Sequence, residues 1–297
     1  MPSRTDVSVL HYTAFSASPE GGNPAGVVLD ATGLDDGDMR EIAAGVGYSE
    51  TAFLTPPPPG LDAEPGRGFT IRYFSPLAEV PFCGHATVAA SVAVAERLGT
   101  GELAFATRAG TVPVTVTEQD GTLHATLSSV EPSTEAAGAE DVSETLAALG
   151  WAADELDPGL PPRIAFAGAR HLVLAAATRE RLATLDYDFE RLKNLLLRLG
   201  LVTVQLVWRD RTDPAGTVFH VRNPFPVGGV VEDPATGAAA AALGGYLREL
   251  KLVPGGNVRL TLHQGHDMGR PALLTVELRR RDPRVHVTGA AVAIPGR

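Results

Sequence analysis

The amino-acid sequence predicts an α+β fold made of two similar half-domains. Strand-like apolar runs alternate with helical patterns, and the order of these patterns repeats about 150 residues later. The 32 glycines and 23 prolines indicate many tight turns between short elements. A length of 297 residues also fits two domains of ordinary size.

The elements of the first half follow from apolar periodicity. Helices are predicted at residues 36–46, where the first turn is acidic, and at residues 86–98, before Gly99. After residue 107, short strands are joined by hairpin-like turns, of which Asp120-Gly121 is the clearest. Strands are predicted at residues 7–15, 25–29, 51–54 and 69–74.

The second half repeats these landmarks. Arg72 and Arg222 fall at matching places, as do the helix-opening glycines Gly84 and Gly237. The alternative is chance similarity between two α/β segments. We predict an N-terminal half-domain of residues 1–120, rejoined by a C-terminal strand at 285–297, and a second half-domain of residues 121–284.

Composition excludes several classes of protein. A net charge of −10 argues against a nucleic-acid partner, and the basic clusters at residues 279–284 and around Arg179 are interleaved with acidic residues. No apolar run approaches the roughly 18 residues of a membrane span. One cysteine cannot form an internal disulfide, and the N-terminus lacks a signal-like apolar run, so we expect a cytoplasmic protein.

Two similar halves would place the two glycine-opened helices on opposite sides of an interdomain cleft. A helix N-terminus presents backbone N–H groups and a partial positive charge. Such a cleft would suit a small molecule that carries a carboxylate.

Two carboxylates could take part in chemistry. Glu50 precedes a strand, and its alternation with Ala52 and Leu54 favours a solvent-exposed position at the strand end. If buried instead, Glu50 would be suited to donate or accept a proton. Asp233 lies in a Pro-Gly turn before a helix, where it could cap the helix, contribute to a site, or do both.

Cys83 and His85 are too close in sequence for the usual catalytic Cys-His pair, which is assembled from distant segments. A metal site would need further ligands such as His263 and His266, and that spacing matches no known zinc pattern, so no metal is predicted. The glycine-rich stretches lack a P-loop lysine and the GxGxxG spacing, and this argues against a nucleotide cofactor.

Seven motifs, in order along nearly the whole chain, resemble the phenazine-biosynthesis PhzF-like family of isomerases. They are GNPAGVVL (22–29), SETAFL (49–54), IRYFSP (71–76), EVPFCGHAT (79–87), EDPATGAA (232–239), QGHDMGRP (264–271) and VTGAAVAI (287–294). The resemblance implies a diaminopimelate-epimerase-like fold of two pseudo-symmetric halves, each a strongly bent, mostly antiparallel sheet around a central helix. It also implies a homodimer that uses no cofactor.

The resemblance also implies roles for individual residues. Glu50 would move the proton, with His85 and Asp233 as the other catalytic residues around the substrate. Substrate-binding positions would be Asn23, Gly84, Thr236, Gly237 and Ala238.

This chain departs from the family pattern at two positions. Ala238 and Ala272 stand where relatives often have serine, so the family's dihydro-hydroxyanthranilate substrate does not transfer directly. Related racemases use two cysteines, and this chain has only Cys83, which disfavours a two-thiol mechanism and suggests that Cys83 is a small buried residue near the site.

The sequence therefore predicts a cofactor-independent isomerase that acts by glutamate acid–base chemistry on a small cyclic or unsaturated carboxylic acid. One alternative is an epimerase of an amino-acid-like substrate, with Glu50 and Asp233 as opposed bases. Another is a non-catalytic protein on the same fold that binds small carboxylates.

Overall fold

The computed structural model of the protein describes residues 7–296, which form two compact units. Unit 1 comprises the chain up to Ser128 together with the residues from Thr288 onward, and unit 2 comprises Ser129–Val287. The half-domain bounds drawn from the sequence stay a prediction. Within the described range, no helix is both long enough and apolar enough to cross a membrane.

The described part of unit 1 contains eight complete strands, two helices and the end of strand β16. Helix α1 begins with a capping box between Asp35 and Asp38 and ends at Gly47, which takes the left-handed conformation. The bounds are β1 Leu10–Ala14, β2 Asn23–Val28, α1 Asp36–Val46, β3 Thr51–Thr55, β4 Gly68–Phe74, β5 Glu79–Val80, α2 Gly84–Leu98, β6 Gly101–Thr107, β7 Gly110–Gln119 and β8 Thr122–Ser128.

Unit 2 contains the remaining strands and four helices. The strand bounds are β9 Ser133–Ala136, β10 Arg163–Phe166, β11 Arg170–Ala175, β12 Thr203–Arg209, β13 Val218–Arg222, β14 Val258–Gln264, β15 Ala272–Leu278 and β16 Val285–Ala293. The helix bounds are α3 Ala139–Leu149, α4 Arg179–Ala183, α5 Phe189–Leu199 and α6 Gly237–Glu249. Strand β16 contributes Val285–Val287 to unit 2 and its later residues to unit 1.

The two units share one pattern of strand pairing. In unit 1, β2 is antiparallel to β1 and parallel to β3, β4 is antiparallel to β3 and parallel to β6, and β7 is antiparallel to β6. In unit 2, β11 is antiparallel to β10 and parallel to β12, β13 is antiparallel to β12 and parallel to β14, and β15 is antiparallel to β14. Both units are thus built on the same topology, with α2 and α6 at equivalent crossovers.

Each unit wraps its sheet around one buried helix. Residues 85–95 of α2 are buried in an unbroken run, and α2 packs against β1, β2, β3, β7 and β8. Residues 239–247 of α6 are likewise buried, and α6 packs against β9, β10, β11 and β15. A Cβ atom at Gly245 would lie 2.5 Å from Pro132, so glycine permits this close packing.

Candidate active site

The N-terminus of α2 positions the first group of predicted residues. Cys83 is the N-cap, in an extended conformation, and its side chain makes no capping hydrogen bond. The carbonyl oxygen of Cys83 accepts hydrogen bonds from the backbone N–H of Thr87 at 3.0 Å and from its hydroxyl at 2.7 Å. Tyr73 lies 2.7 Å from that hydroxyl, and burial raises the pKa of its phenol, which therefore stays protonated. This chain of bonds fixes the first turn of α2.

Glu50 and His85 lie side by side at this point. Nε2 of His85 is 3.4 Å from Oε2 of Glu50, and the side chain of Glu50 is only 14% exposed. The solvent-exposed position that strand alternation favoured for Glu50 is therefore wrong. Glu50 immediately precedes β3, and the parallel neighbour β2 and helix α2 cover it, so the end of the strand lies inside the unit.

Three further polar side chains surround His85. The amide nitrogen of Asn23 is 3.2 Å from Nδ1, and Sγ of Cys83 is 3.4 Å from Nδ1 and 3.8 Å from Nε2. The hydroxyl of Ser49 lies 3.5 Å from Nε2. When the Asn23 amide donates to Nδ1, the ring hydrogen resides on Nε2 and points toward Glu50. Sequence reasoning missed Ser49, although its place in the SET motif was a signal.

Unit 2 holds the second group at the N-terminus of α6. Thr236, rather than Asp233, is the N-cap, and its hydroxyl donates to Oδ2 of Asp233 at 2.6 Å. The buried side chain of Gln264 accepts from the backbone N–H of Thr236 at 3.1 Å and donates to the carbonyl of Asp233 at 2.8 Å. Gln264 thus fixes the turn, a role that sequence reasoning missed although the QG dipeptide marks it.

The N-termini of α2 and α6 carry different side chains at equivalent positions. Gly84 and Gly237 are the first residues of α2 and α6, as the sequence predicted. The N-cap is a thiol in unit 1 and a hydroxyl in unit 2, and the position of His85 is taken by Ala238. Glu50 and His85 both belong to unit 1.

His263 and His266 form a cluster with His220, all three in unit 2. Ring centroids are 5.0 Å apart for His220 and His263 and 5.3 Å apart for His263 and His266. Burial lowers the pKa of both His220 and His263. The cysteine and histidine of the hypothetical four-ligand set, Cys83 and His85, belong to unit 1.

Three arginines of the basic clusters are paired with acidic residues. Arg179 contacts Asp267 at 2.8 Å, and Arg279 contacts Glu277 at 3.1 Å. Arg284 contacts Asp282 at 2.8 Å. These three arginines are thus engaged in ion pairs within the protein.

Comparison with known proteins agrees with this architecture. A sequence model of the family described as phenazine biosynthesis-like protein matches residues 12–296. "Uncharacterized isomerase YfhB" of Bacillus subtilis is 30% identical over 295 residues, which cover 97% of this chain and 96% of that protein. The trans-2,3-dihydro-3-hydroxyanthranilate isomerase of Pseudomonas fluorescens is 30% identical over 284 residues, which cover 94% of each. The crystal structure of the Bacillus anthracis phenazine biosynthesis protein of the PhzF family superposes with a TM-score of 0.84 at 26% identity and 97% coverage of each chain.

These matches extend over nearly the whole chain, and both curated relatives are named as isomerases. They confirm the family resemblance, the α+β fold class and the enzyme class that the sequence predicted. The protein belongs to the phenazine biosynthesis-like family and is an isomerase.

Proposed function

We propose that the protein isomerises a small cyclic or unsaturated carboxylic acid, without a cofactor, by proton transfer through Glu50. The observation that carries this proposal is the 3.4 Å contact between Glu50 and the nearly buried His85. A carboxylate held against an imidazole, away from bulk water, can take a proton from one carbon and return it to another.

In this mechanism His85 orients the carboxylate and shares its proton. The Asn23 amide sets the ring so that Nε2–H faces Glu50, and the carboxylate oxygen turned away from the ring is the one that would reach the substrate. His85 stabilises the carboxylate of Glu50 before Glu50 accepts a proton, and it stabilises the protonated Glu50 side chain afterwards. Glu50 therefore acts first as the general base and then as the general acid.

The substrate carboxylate would bind at the N-terminus of α2. Helix α2 is 15 residues long, and the side chain of its N-cap makes no capping hydrogen bond to the backbone. Backbone N–H groups and the helix dipole favour an anion at such an end. This fits the substrate named for the Pseudomonas fluorescens relative, an anthranilate derivative.

The turn before α6 holds Asp233, the other carboxylate of the proposal. The Thr236 hydroxyl and the Gln264 amide hold Asp233 and its turn in place, which supports the catalytic role that the family resemblance implies for Asp233. Ala238 is half-buried and Ala272 is buried, and neither supplies a hydroxyl. We therefore expect a substrate whose polar groups differ from those that the serine-bearing relatives bind.

The test is incubation of wild type and Glu50→Gln with trans-2,3-dihydro-3-hydroxyanthranilate in D2O, followed by absorbance and mass. Wild type should convert the compound, and Glu50→Gln should be slower by about 10²- to 10⁴-fold, because a positioned general acid–base contributes that much. The matched control is Glu118→Gln, at an exposed position of β7, which should keep wild-type activity.

Other outcomes separate the alternatives. Glu50→Gln activity equal to wild type would remove Glu50 from the mechanism. Solvent deuterium at the stereocentre of an amino acid would favour the epimerase, and tight binding of a carboxylate without conversion would favour the binding protein. Conversion of a different unsaturated acid, lost in Glu50→Gln, would keep the mechanism and replace the substrate.

A further inference from the structure

Three side chains of different chemistry converge beside α2. A carboxylate oxygen of Glu50, Sγ of Cys83 and a ring nitrogen of His85 all lie within 4.8 Å of one another. Among residues 7–296, this is the one group of three or more Asp, Glu, His and Cys side chains whose donor atoms come this close. The proton-transfer proposal uses Glu50 and His85 but leaves Cys83 without a role.

Two of the three separations are close to those of a tetrahedral zinc site. Zinc bonds of about 2.3 Å to sulfur and about 2.1 Å to nitrogen and oxygen, at tetrahedral angles, place N and O about 3.4 Å apart and N and S about 3.6 Å apart. In the protein, Nε2 of His85 is 3.4 Å from Oε2 of Glu50 and 3.8 Å from Sγ of Cys83. The carboxylate of Glu50 and Sγ of Cys83 lie within 4.8 Å of each other, and zinc binding would bring them to about 3.6 Å.

The surroundings also favour such a site. Asn23 lies 3.2 Å from Nδ1 and orients the ring so that Nε2 is turned toward Glu50. For Nε2 to bind zinc, the ring hydrogen moves to Nδ1, and the Asn23 amide turns its oxygen toward Nδ1 to accept it, as an outer-shell partner does for a zinc-bound histidine. Cys83 stands at the N-terminus of a 15-residue helix, so a metal-bound sulfur there would face the positive end of the helix dipole. The side chains of His85 and Glu50 are 7% and 14% exposed, so the group is sheltered yet reachable.

We propose that Zn²⁺ binds to Glu50, Cys83 and His85 and thereby inhibits the isomerase. The thiol of Cys83 releases its proton to solvent, and the thiolate, the carboxylate and neutral His85 donate to the metal. A fourth position stays open to water. The inhibitory part rests on the proposed function, because the metal occupies the carboxylate that would move the proton; the binding itself does not.

Binding is measured first, with the full chain stripped of metal by a chelator and titrated with Zn²⁺ alone by calorimetry. We expect one Zn²⁺ per chain and release of about one proton, so that affinity rises with pH. Co²⁺ in place of Zn²⁺ should give a sulfur-to-metal charge-transfer band. Cys83→Ser should abolish the band and weaken binding by more than the roughly 10- to 100-fold that loss of an outer-shell partner costs.

The matched control is His263→Ala, which disrupts the histidine cluster of unit 2. It should leave Zn²⁺ affinity and the Co²⁺ band unchanged, whereas His85→Gln and Glu50→Gln should each weaken binding. If His263→Ala removes the binding, the metal binds at the other cluster and the proposal is wrong. It is equally wrong if wild type binds no Zn²⁺, or if a folded Cys83→Ser variant binds as wild type does.

Inhibition is measured second, as loss of turnover at increasing Zn²⁺ and its recovery with chelator. These readouts separate the two proposals. If turnover depends on Glu50 and the protein binds no Zn²⁺, only the zinc site is refuted. A zinc-binding protein that turns over no carboxylic acid would keep the zinc site and refute only the isomerase mechanism.

Discussion

The guanidinium of Arg222 forms two hydrogen bonds with the carboxylate of Glu232, at 2.9 and 2.6 Å, and both side chains are buried. Arg72 and Glu79 repeat this bidentate pair in unit 1, at 2.8 and 2.6 Å. The two pairs differ in their surroundings. Arg72 is 22% exposed and also contacts Asp36, whereas the side chains of Arg222 and Glu232 are 8% and 5% exposed.

Glu232→Gln should destabilise the protein by about 3 to 5 kcal/mol, because it leaves the buried charge of Arg222 without a counterion. Glu79→Gln is the matched variant and should lower the free energy of unfolding by less, since Arg72 keeps its contacts with Asp36 and with water. Urea unfolding of both variants measures the difference. The double variant Arg222→Met/Glu232→Leu should recover most of the loss, and equal costs for the two single variants would contradict this account.

Acid stability should depend on His171, which is buried in β11 with Nδ1 2.7 Å from the hydroxyl of Thr203. Burial lowers the pKa of His171 from 6.5 to about 3. The unfolded chain therefore binds a proton that the folded protein does not. Stability is complete above about pH 6.5 and falls as the pH drops toward 3, by up to about 1.4 kcal/mol per pH unit for this group.

The variant His171→Asn removes the titrating ring and should flatten the fall in unfolding free energy between about pH 6.5 and 4.5. Urea unfolding at several pH values measures this slope. His263→Asn should flatten it less, because burial also lowers the pKa of His263 but its ring is only partly buried. An unchanged slope in His171→Asn would show that another group governs acid unfolding.

Gly265 should tolerate no side chain. Its φ is +74°, and a Cβ atom there would lie 2.2 Å from the carbonyl oxygen of Arg270 and 2.8 Å from that of Pro234. Gly265→Ala should therefore cost more than the roughly 1 to 2 kcal/mol of left-handed strain alone. Gly33→Ala is the matched control, because Gly33 has a φ of +88° and open space around it.

Both glycine variants are compared by thermal and urea unfolding. Gly265→Ala should also reduce substrate binding, because Gly265 follows Gln264, which holds Asp233 and Thr236. Equal stability losses in the two variants would mean that the turn adjusts to the added carbon.

Several elements could be predicted from periodicity and turn chemistry. Helix α1 has the predicted bounds, and α2 begins two residues earlier than predicted because glycine and histidine carry little periodic signal. The predicted Asp120-Gly121 turn joins β7 to β8, and both residues have positive φ, as a two-residue hairpin requires. Local chemistry is enough for such elements.

The site was less predictable, because its contacts join distant residues. Strand alternation favoured a solvent-exposed position for Glu50. This was wrong because the sequence does not show that β2 and α2 cover the end of β3. Gln264 and Thr236 are 28 residues apart, so the sequence did not reveal the role of the glutamine. Nothing near His220 in the sequence indicated that it would lie beside His263 on the paired strand. The SET and GHAT motifs did indicate Glu50 and His85, but only through resemblance to known proteins.

Strand β16 has a consequence for how the chain folds as it is made. Thr13 in β1 pairs with Val292, and the backbone of Phe15 donates to the carbonyl of Ala290, so the sheet of unit 1 is completed by residues that are synthesised only after unit 2. Unit 2 occupies residues 129–287, which takes about 8 to 30 seconds to translate. Throughout that time one edge of β1 has no partner strand, and in nascent chains this edge can pair with an incorrect strand.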